Sequence, residues 1–203
     1  MHIKTVKLIG LTGGIGCGKT TVTEEFRKIG IPCFIADIHA GTYYNDPSFL
    51  EQIQTLFGNT VFNNDGTADK RRIASIVFSN RDKLMALNAL IHPRVMEDFR
   101  LWAANQTTPY AIIESAILYE YELYKHLDGI ITVYLEKEER IRRLMQRDRE
   151  SREVIELRMA NQLTAEEKMD RADYVILNYE GNPRQRQVKT IHRMVIGENE
   201  NEH

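Results

Sequence analysis

The run Gly13-Gly14-Ile15-Gly16-Cys17-Gly18-Lys19-Thr20 meets the pattern G-x-x-x-x-G-K-[ST] at every fixed position. It also sits where that pattern has to sit. Val6–Leu11 ahead of it reads as a buried strand. From Lys19 the chain turns helical, with Val22, Phe26 and Ile29 on one apolar stripe and Gly30 as a stop. Pro32–Ala36 then reads as a second short strand ending at Asp37. Strand, glycine turn, helix and strand in that order dictate a parallel βαβ unit with a right-handed crossover.

Each residue of the run has a physical task. Glycines allow backbone angles closed to other residues, so that several N–H groups converge on phosphate oxygens. The helix that follows adds its positive end. Lys19 is expected to reach the β- and γ-phosphates of a nucleotide, and Thr20 to offer a hydroxyl to Mg²⁺. Gly14, Ile15, Gly16, Cys17, Gly18, Lys19, Thr20 and Thr21 are thus the expected nucleotide-binding set, with ATP and Mg²⁺ as cofactors. Cys17 reads first as a small loop residue, although a helix N-terminus lowers a thiol pKa and so favours oxidation.

Further buried strands are expected at Tyr110–Ile113, Ile130–Leu135 and Tyr174–Leu177, separated by helices. Between Asp37 and Pro109 no strand is evident. Pro47–Phe57, Arg71–Phe78, Arg81–Ile91 and Arg94–Ala104 read as helices instead. The expected fold is therefore α/β, a three-layer P-loop kinase fold whose parallel sheet is flanked by helices. The 203 residues form one domain, with an inserted helical acceptor-binding lobe at about 40–106 and a lid at about 140–170.

A formal charge of −2 argues against a nucleic-acid binder. No apolar stretch is long enough for a membrane span, and Met1–Gly10 lacks the organisation of a secretory signal. Cys17 and Cys33 have no metal-ligand spacing, so two reduced thiols in a cytoplasmic protein are expected. The acidic tail Gly197–His203 carries no functional expectation.

A guanine-reading Asn-Lys-x-Asp and a switch-type Asp-x-x-Gly are both missing, which removes the GTPases. The class that remains transfers phosphate to a small acceptor under an arginine-rich lid. Arg140-Ile141-Arg142-Arg143-Leu144-Met145-Gln146-Arg147-Asp148-Arg149, with Arg152 and Arg158 beyond it, suits that lid, because a guanidinium fork neutralises phosphate oxygens. Interleaved Glu136, Glu138, Glu139, Asp148, Glu150 and Glu153 keep a second reading open, a solvated helix. One or two of Arg140, Arg143 and Arg147 are expected to face nucleotide, with Arg143 catalytic and Arg147 nucleotide-binding.

Gly10–Val22 resembles the opening of dephospho-coenzyme A kinases. Ile35-Ala36-Asp37, Asp65-Gly66-Thr67 with Lys70-Arg71, Asn88–Val95 and Ile117-Leu118-Tyr119-Glu120 are similar to later segments of that family. Arg143–Asp148, Arg158–Gln162 and Arg171–Ile176 follow in the same order, so the resemblance runs from about Val6 to Asn178. There are four departures: Ile35 and Glu114 stand where the family has Asp, Gly41 where it commonly has Arg, and Ala116 where it has Pro.

The resemblance implies transfer of the ATP γ-phosphate to the ribose 3′-hydroxyl of dephospho-coenzyme A. Asp37 would be the residue that orients and deprotonates that hydroxyl, or else a cap for the next helix. Arg71, His92 and Arg94 would contact the acceptor, although a histidine before proline also suits a helix boundary. Asn178 lies beside the adenine or at a plain helix-to-strand junction. The expected partners are dephospho-coenzyme A and ATP, with no nucleic acid and no membrane, in a monomer or weak homo-oligomer. Two other readings stand: another nucleoside monophosphate or metabolite kinase, and an ATP-binding regulatory protein without acceptor chemistry.

Overall fold

A computed structural model describes residues 6–198, apart from the side chain of Phe78. The chain divides into two compact units, one of Met1–Ile35 with Arg100–His203 and one of Ala36–Phe99.

The first unit is built on a five-stranded sheet. In chain order it holds β1 (Lys7–Thr12), α1 (Lys19–Lys28) and β2 (Cys33–Ile35). After the second unit come β3 (Tyr110–Glu114), β4 (Gly129–Tyr134), α6 (Lys137–Asp148), α7 (Arg152–Ala160), α8 (Ala165–Asp170), β5 (Tyr174–Leu177) and α9 (Arg184–Ile196). The strand order is β2-β3-β1-β4-β5 and every pairing is parallel. All residues of β3 and β4 are buried, as expected where helices cover both faces of a parallel sheet.

Successive strand residues point to opposite faces, and β2 shows this directly. Cys33 joins a core that includes Val22 and Phe26 of α1, Ile9, Leu11 and Tyr110 of the sheet, and Val188 and Ile191 of α9. Phe34 faces the other way, its ring 5.5 Å from that of Trp102. Truncating a fully buried ring such as Phe26 to alanine costs about 3–5 kcal/mol.

The order of strands decides where a ligand goes. The connection leaving β1 leads to β2 on one side, and the one leaving β3 leads to β4 on the other. β1 and β3 are neighbours, with Leu11 in register with Glu114, so a crevice opens beyond their carboxyl ends.

The second unit is helical: α2 (Ala36–Thr42), α3 (Pro47–Phe57), α4 (Lys70–Ser79) and the start of α5 (Arg81–Ala104). Beside them lies an isolated bridge between Phe62 and Ala68. Asp46 caps α3 by accepting from the Ser48 N–H at 2.9 Å, with Pro47 in the first turn, where a missing N–H is harmless. Phe49, Ile53, Phe57, Val61, Ile73 and Val77 are buried.

Two expectations change. β2 stops at Ile35, so Asp37 lies in the first turn of α2 rather than at a strand end. The expected helices Arg81–Ile91 and Arg94–Ala104 are one helix, α5, running through Pro93. Proline in a helix interior forfeits a hydrogen bond and clashes with the preceding turn. Burial of Leu87 before it and Val95, Met96 and Phe99 after it offsets that cost. Among the described residues no helix is long and apolar enough to cross a membrane.

Candidate active site

The glycine-rich loop leaves β1 at Thr12 and enters α1 at Lys19. Gly13 has φ +147°, and a Cβ there would lie 2.5 Å from the Val133 carbonyl oxygen. Gly18 has φ +90°, and a Cβ there would collide with the Asn178 side chain. Neither position accepts another residue. Between them the Cys17 N–H donates to the Gly14 carbonyl at 3.1 Å, curling the loop.

Gly18 caps α1 without a side chain, and the first turn of α1 carries no acidic residue. Its free N–H groups and positive end therefore face outward with no internal counter-charge, which suits an anion. Lys19 lies across the loop, its Nζ donating to the Gly13 carbonyl at 3.2 Å and standing 3.9 Å from Glu114 Oε1 at the end of β3. Thr20 and Thr21 follow it, exposed.

Cys17 is completely buried. Burial pushes its thiol pKa up, against the smaller pull of Lys19. The thiolate-favouring site expected from the helix N-terminus is therefore absent, because desolvation outweighs the field of the helix end.

The arginines of α6 separate into three situations. Arg140 is only 6% exposed, and its guanidinium occupies the space a Gly14 side chain would need. No carboxylate among the described residues pairs with it, and its Nε has no hydrogen-bond partner. Arg143 donates from Nε to Glu139 at 2.8 Å, while its Nη1 would lie 4.0 Å from a Cβ on Gly18. Glu139 also takes a hydrogen bond from Arg142, and these bonds, Arg142's first, hold its carboxyl at a pKa of about 2. Arg147 pairs with Asp148 at 2.6 Å with 64% of its side chain exposed.

Sequence reasoning gave Arg140 only as one of three candidates and assigned it no role of its own. It precedes Ile141 and lies four residues before Leu144, both buried, which places it on the packed face of the helix. Gln162, in the turn between α7 and α8, was passed over. Its Oε1 accepts from the Ile15 N–H at 3.0 Å, so the turn between α7 and α8 touches the loop apex.

Asn178 lies under the loop. It is 1% exposed, donates to the Cys17 carbonyl at 2.7 Å and accepts from Arg184 at 2.9 Å. One of its two amide protons and one oxygen lone pair are thus engaged, and through them Asn178 supports the loop from below.

The remaining sequence candidates belong to the second unit. Asp37 is exposed in the first turn of α2. Arg71 lies in the first turn of α4, with its backbone N–H on the Asp69 cap at 3.1 Å. His92 is buried in mid-helix rather than at a helix boundary, and burial lowers its pKa to about 4, so the ring is neutral at pH 7. Arg94 pairs with Asp46 and stacks 4.7 Å from the Tyr43 ring centre and 5.8 Å from that of Phe49. Within the unit its charge is thus paired and its stem packed on aromatic rings.

A nucleotide with Mg²⁺ fits the cradle chemically. Arg140 and the helix end supply positive charge that no internal acid cancels, and Lys19 adds a cation held at the edge of ion-pair distance, 3.9 Å, from Glu114. Thr20 and Glu114 supply oxygen donors. No group of three or more His, Cys, Asp or Glu able to hold a metal exists among the described residues. A cation here must take most of its shell from phosphate and water, which Mg²⁺ accepts.

A family model described as dephospho-CoA kinase matches residues 7–183. The dephospho-CoA kinase of Fusobacterium nucleatum is 34% identical over 174 residues, 86% of this chain and 90% of that protein. The crystal structure of TT1252 from Thermus thermophilus superposes with a TM-score of 0.84 at 31% identity, covering 93% of this chain and 97% of the other. A dephospho-CoA kinase from Campylobacter jejuni has a TM-score of 0.65 at 28% identity, over 95% and 98% of the two chains. The chain belongs to the dephospho-CoA kinase family.

Proposed function

We propose that the protein transfers the γ-phosphate of ATP to the ribose 3′-hydroxyl of dephospho-coenzyme A, giving coenzyme A and ADP. Membership of the family supports the reaction and its acceptor. The observation that carries phosphate binding is the pair of positive groups left without internal counter-charge around Gly14–Gly18, the acid-free end of α1 and buried Arg140, with Lys19 beside them.

Phosphoryl transfer asks a protein mainly to position the reactants and neutralise charge. The N–H groups of Gly16, Gly18, Lys19 and Thr20 hold the phosphate chain, and Gly13 and Gly18 let the loop curl against Val133 and Asn178. Lys19 and Arg140 meet the oxygens on which negative charge moves, with Arg143 presented by Glu139 as a third cation. Mg²⁺, when bound with the nucleotide, would supply further charge neutralisation, and Thr20 and Glu114 are the residues that would hold it or its water. Asp37 accepts the proton of the 3′-hydroxyl as that oxygen bonds to the γ-phosphorus and the bond to the β-phosphate oxygen breaks. The segment α6–α8 is the lid, which excludes water when it closes.

The test is ADP release with ATP, Mg²⁺ and dephospho-coenzyme A, beside AMP, CMP and adenosine as acceptors. Acceptor-dependent release, with coenzyme A identified by mass, is expected. Release no greater than without acceptor, from protein that binds ATP, would refute the assignment.

A further inference from the structure

Lys168 of α8 is completely buried, 0% exposed, in a small enzyme that has every reason to keep a lysine in water. Its Nζ stands 2.6 Å from Glu120 Oε1 and donates to the Ala116 carbonyl at 2.6 Å. Glu120 Oε1 also accepts from the Leu163 N–H at 2.9 Å. The next residue back, Gln162, holds the Ile15 N–H of the glycine loop. At the other end, Ala116 lies two residues past Glu114, and the Ser115 N–H donates to the Leu11 carbonyl of β1 at 3.1 Å. A continuous chain of contacts thus runs from the end of β3, through one buried ion pair, to the last turn of the lid and back to the loop apex.

An ion pair of this kind does little for stability, since desolvating two charges cancels most of their attraction. Burial pulls the Lys168 pKa down and Lys19 pulls it further, while Glu120 holds it up. A pair of apolar side chains would fill the space at lower cost, but would not hold Leu163 and Ala116 at a set spacing.

We infer that Lys168 and Glu120 are positioning residues for phosphoryl transfer, fixing Gln162 over Ile15 so that the glycine loop and the end of β3 keep one spacing. The inference rests on the nucleotide reading above. Neither residue touches the reacting atoms; both act through Gln162 and Ala116.

The experiment compares Gln162→Ala, Lys168→Met, Glu120→Gln and the double variant Lys168→Met/Glu120→Gln with wild type, measuring melting temperature and the separate KM values for ATP and acceptor. Gln162→Ala is expected to raise the KM for ATP about tenfold, the scale of one lost hydrogen bond, with the acceptor KM and melting temperature unchanged. Lys168→Met is expected to show the same ATP-specific rise and a lower melting temperature. The double variant, which leaves no orphaned charge and keeps an oxygen for the Leu163 N–H, is expected to regain the melting temperature but not the KM. Recovery of both together, or a Gln162→Ala KM within twofold of wild type, would overturn the inference and leave the ATP reading standing. Failure of wild type itself to bind ATP would overturn the reading and the inference together.

Discussion

The glycine loop with its lid and the helical unit Ala36–Phe99 both carry arginines, and they treat them in opposite ways. In the first, Arg140 is buried against Gly14 with no paired carboxylate among the described residues. In the second, Arg94 is paired with Asp46 and laid over Tyr43 and Phe49, and Tyr43 itself donates to Asp98 at 2.6 Å. A buried cation left without an acid costs stability and is worth keeping only if a ligand supplies the missing charge. A cation that already has its acid and its aromatic faces belongs to the packing of its own unit.

The largest effect is expected at Lys19. Lys19→Ala should lower kcat by about 10²–10³, the scale of losing one aimed donor in phosphoryl transfer. A variant retaining a tenth of wild-type turnover would remove Lys19 from that role. Asp37→Asn should lower turnover by about 10²-fold or more while leaving ATP affinity within a few-fold, as for a lost general base. Equal turnover would leave Asp37 as an exposed residue of α2 and nothing else.

The comparison itself is broken or sharpened by the arginines. Arg140→Met should lower kcat/KM for ATP about a hundredfold with an unchanged or higher melting temperature, since an unpaired buried charge is removed. Arg94→Ala should do the reverse, lowering the melting temperature through the lost ion pair and ring contacts while changing the ATP KM little. If Arg94→Ala instead raised the acceptor KM at unchanged stability, the contrast between the two regions would fail.

The smallest effect concerns pH. The folded-state pKa of His92, about 4, lies below its ordinary value of 6.5. The unfolded chain therefore binds more protons between those values. Stability from this residue is complete above pH 6.5 and is lost as pH falls toward 4. Denaturant melts of His92→Gln should show a flatter decline across that window; an unchanged slope would contradict a neutral buried ring.

Much of this was legible along the chain. β5 occupies Tyr174–Leu177 and α3 occupies Pro47–Phe57, as their patterns imply, and the strand–loop–helix around Lys19 follows from residue type alone. The cation choice was not. Arg140, Arg143 and Arg147 fall within eight positions of one helix, and their side chains differ only in what surrounds them. Pro93 misled for the same reason, its local penalty being visible and the burial offsetting it being invisible. So did Cys17, whose helix-end position is a matter of sequence and whose complete burial is not.

By itself the sequence determined what local chemistry dictates: where glycine must turn, where a helix begins with bare N–H groups, and which lysine and threonine follow them. Such choices depend on neighbours within a few residues, and their energies are written in residue type. Tertiary structure alone decided which charges were cancelled and which stayed open, because burial and pairing depend on residues far away in the chain. Glu114 comes to Lys19, Asn178 to Cys17, Gln162 to Ile15 and Glu120 to Lys168 only when the sheet assembles in the order β2-β3-β1-β4-β5.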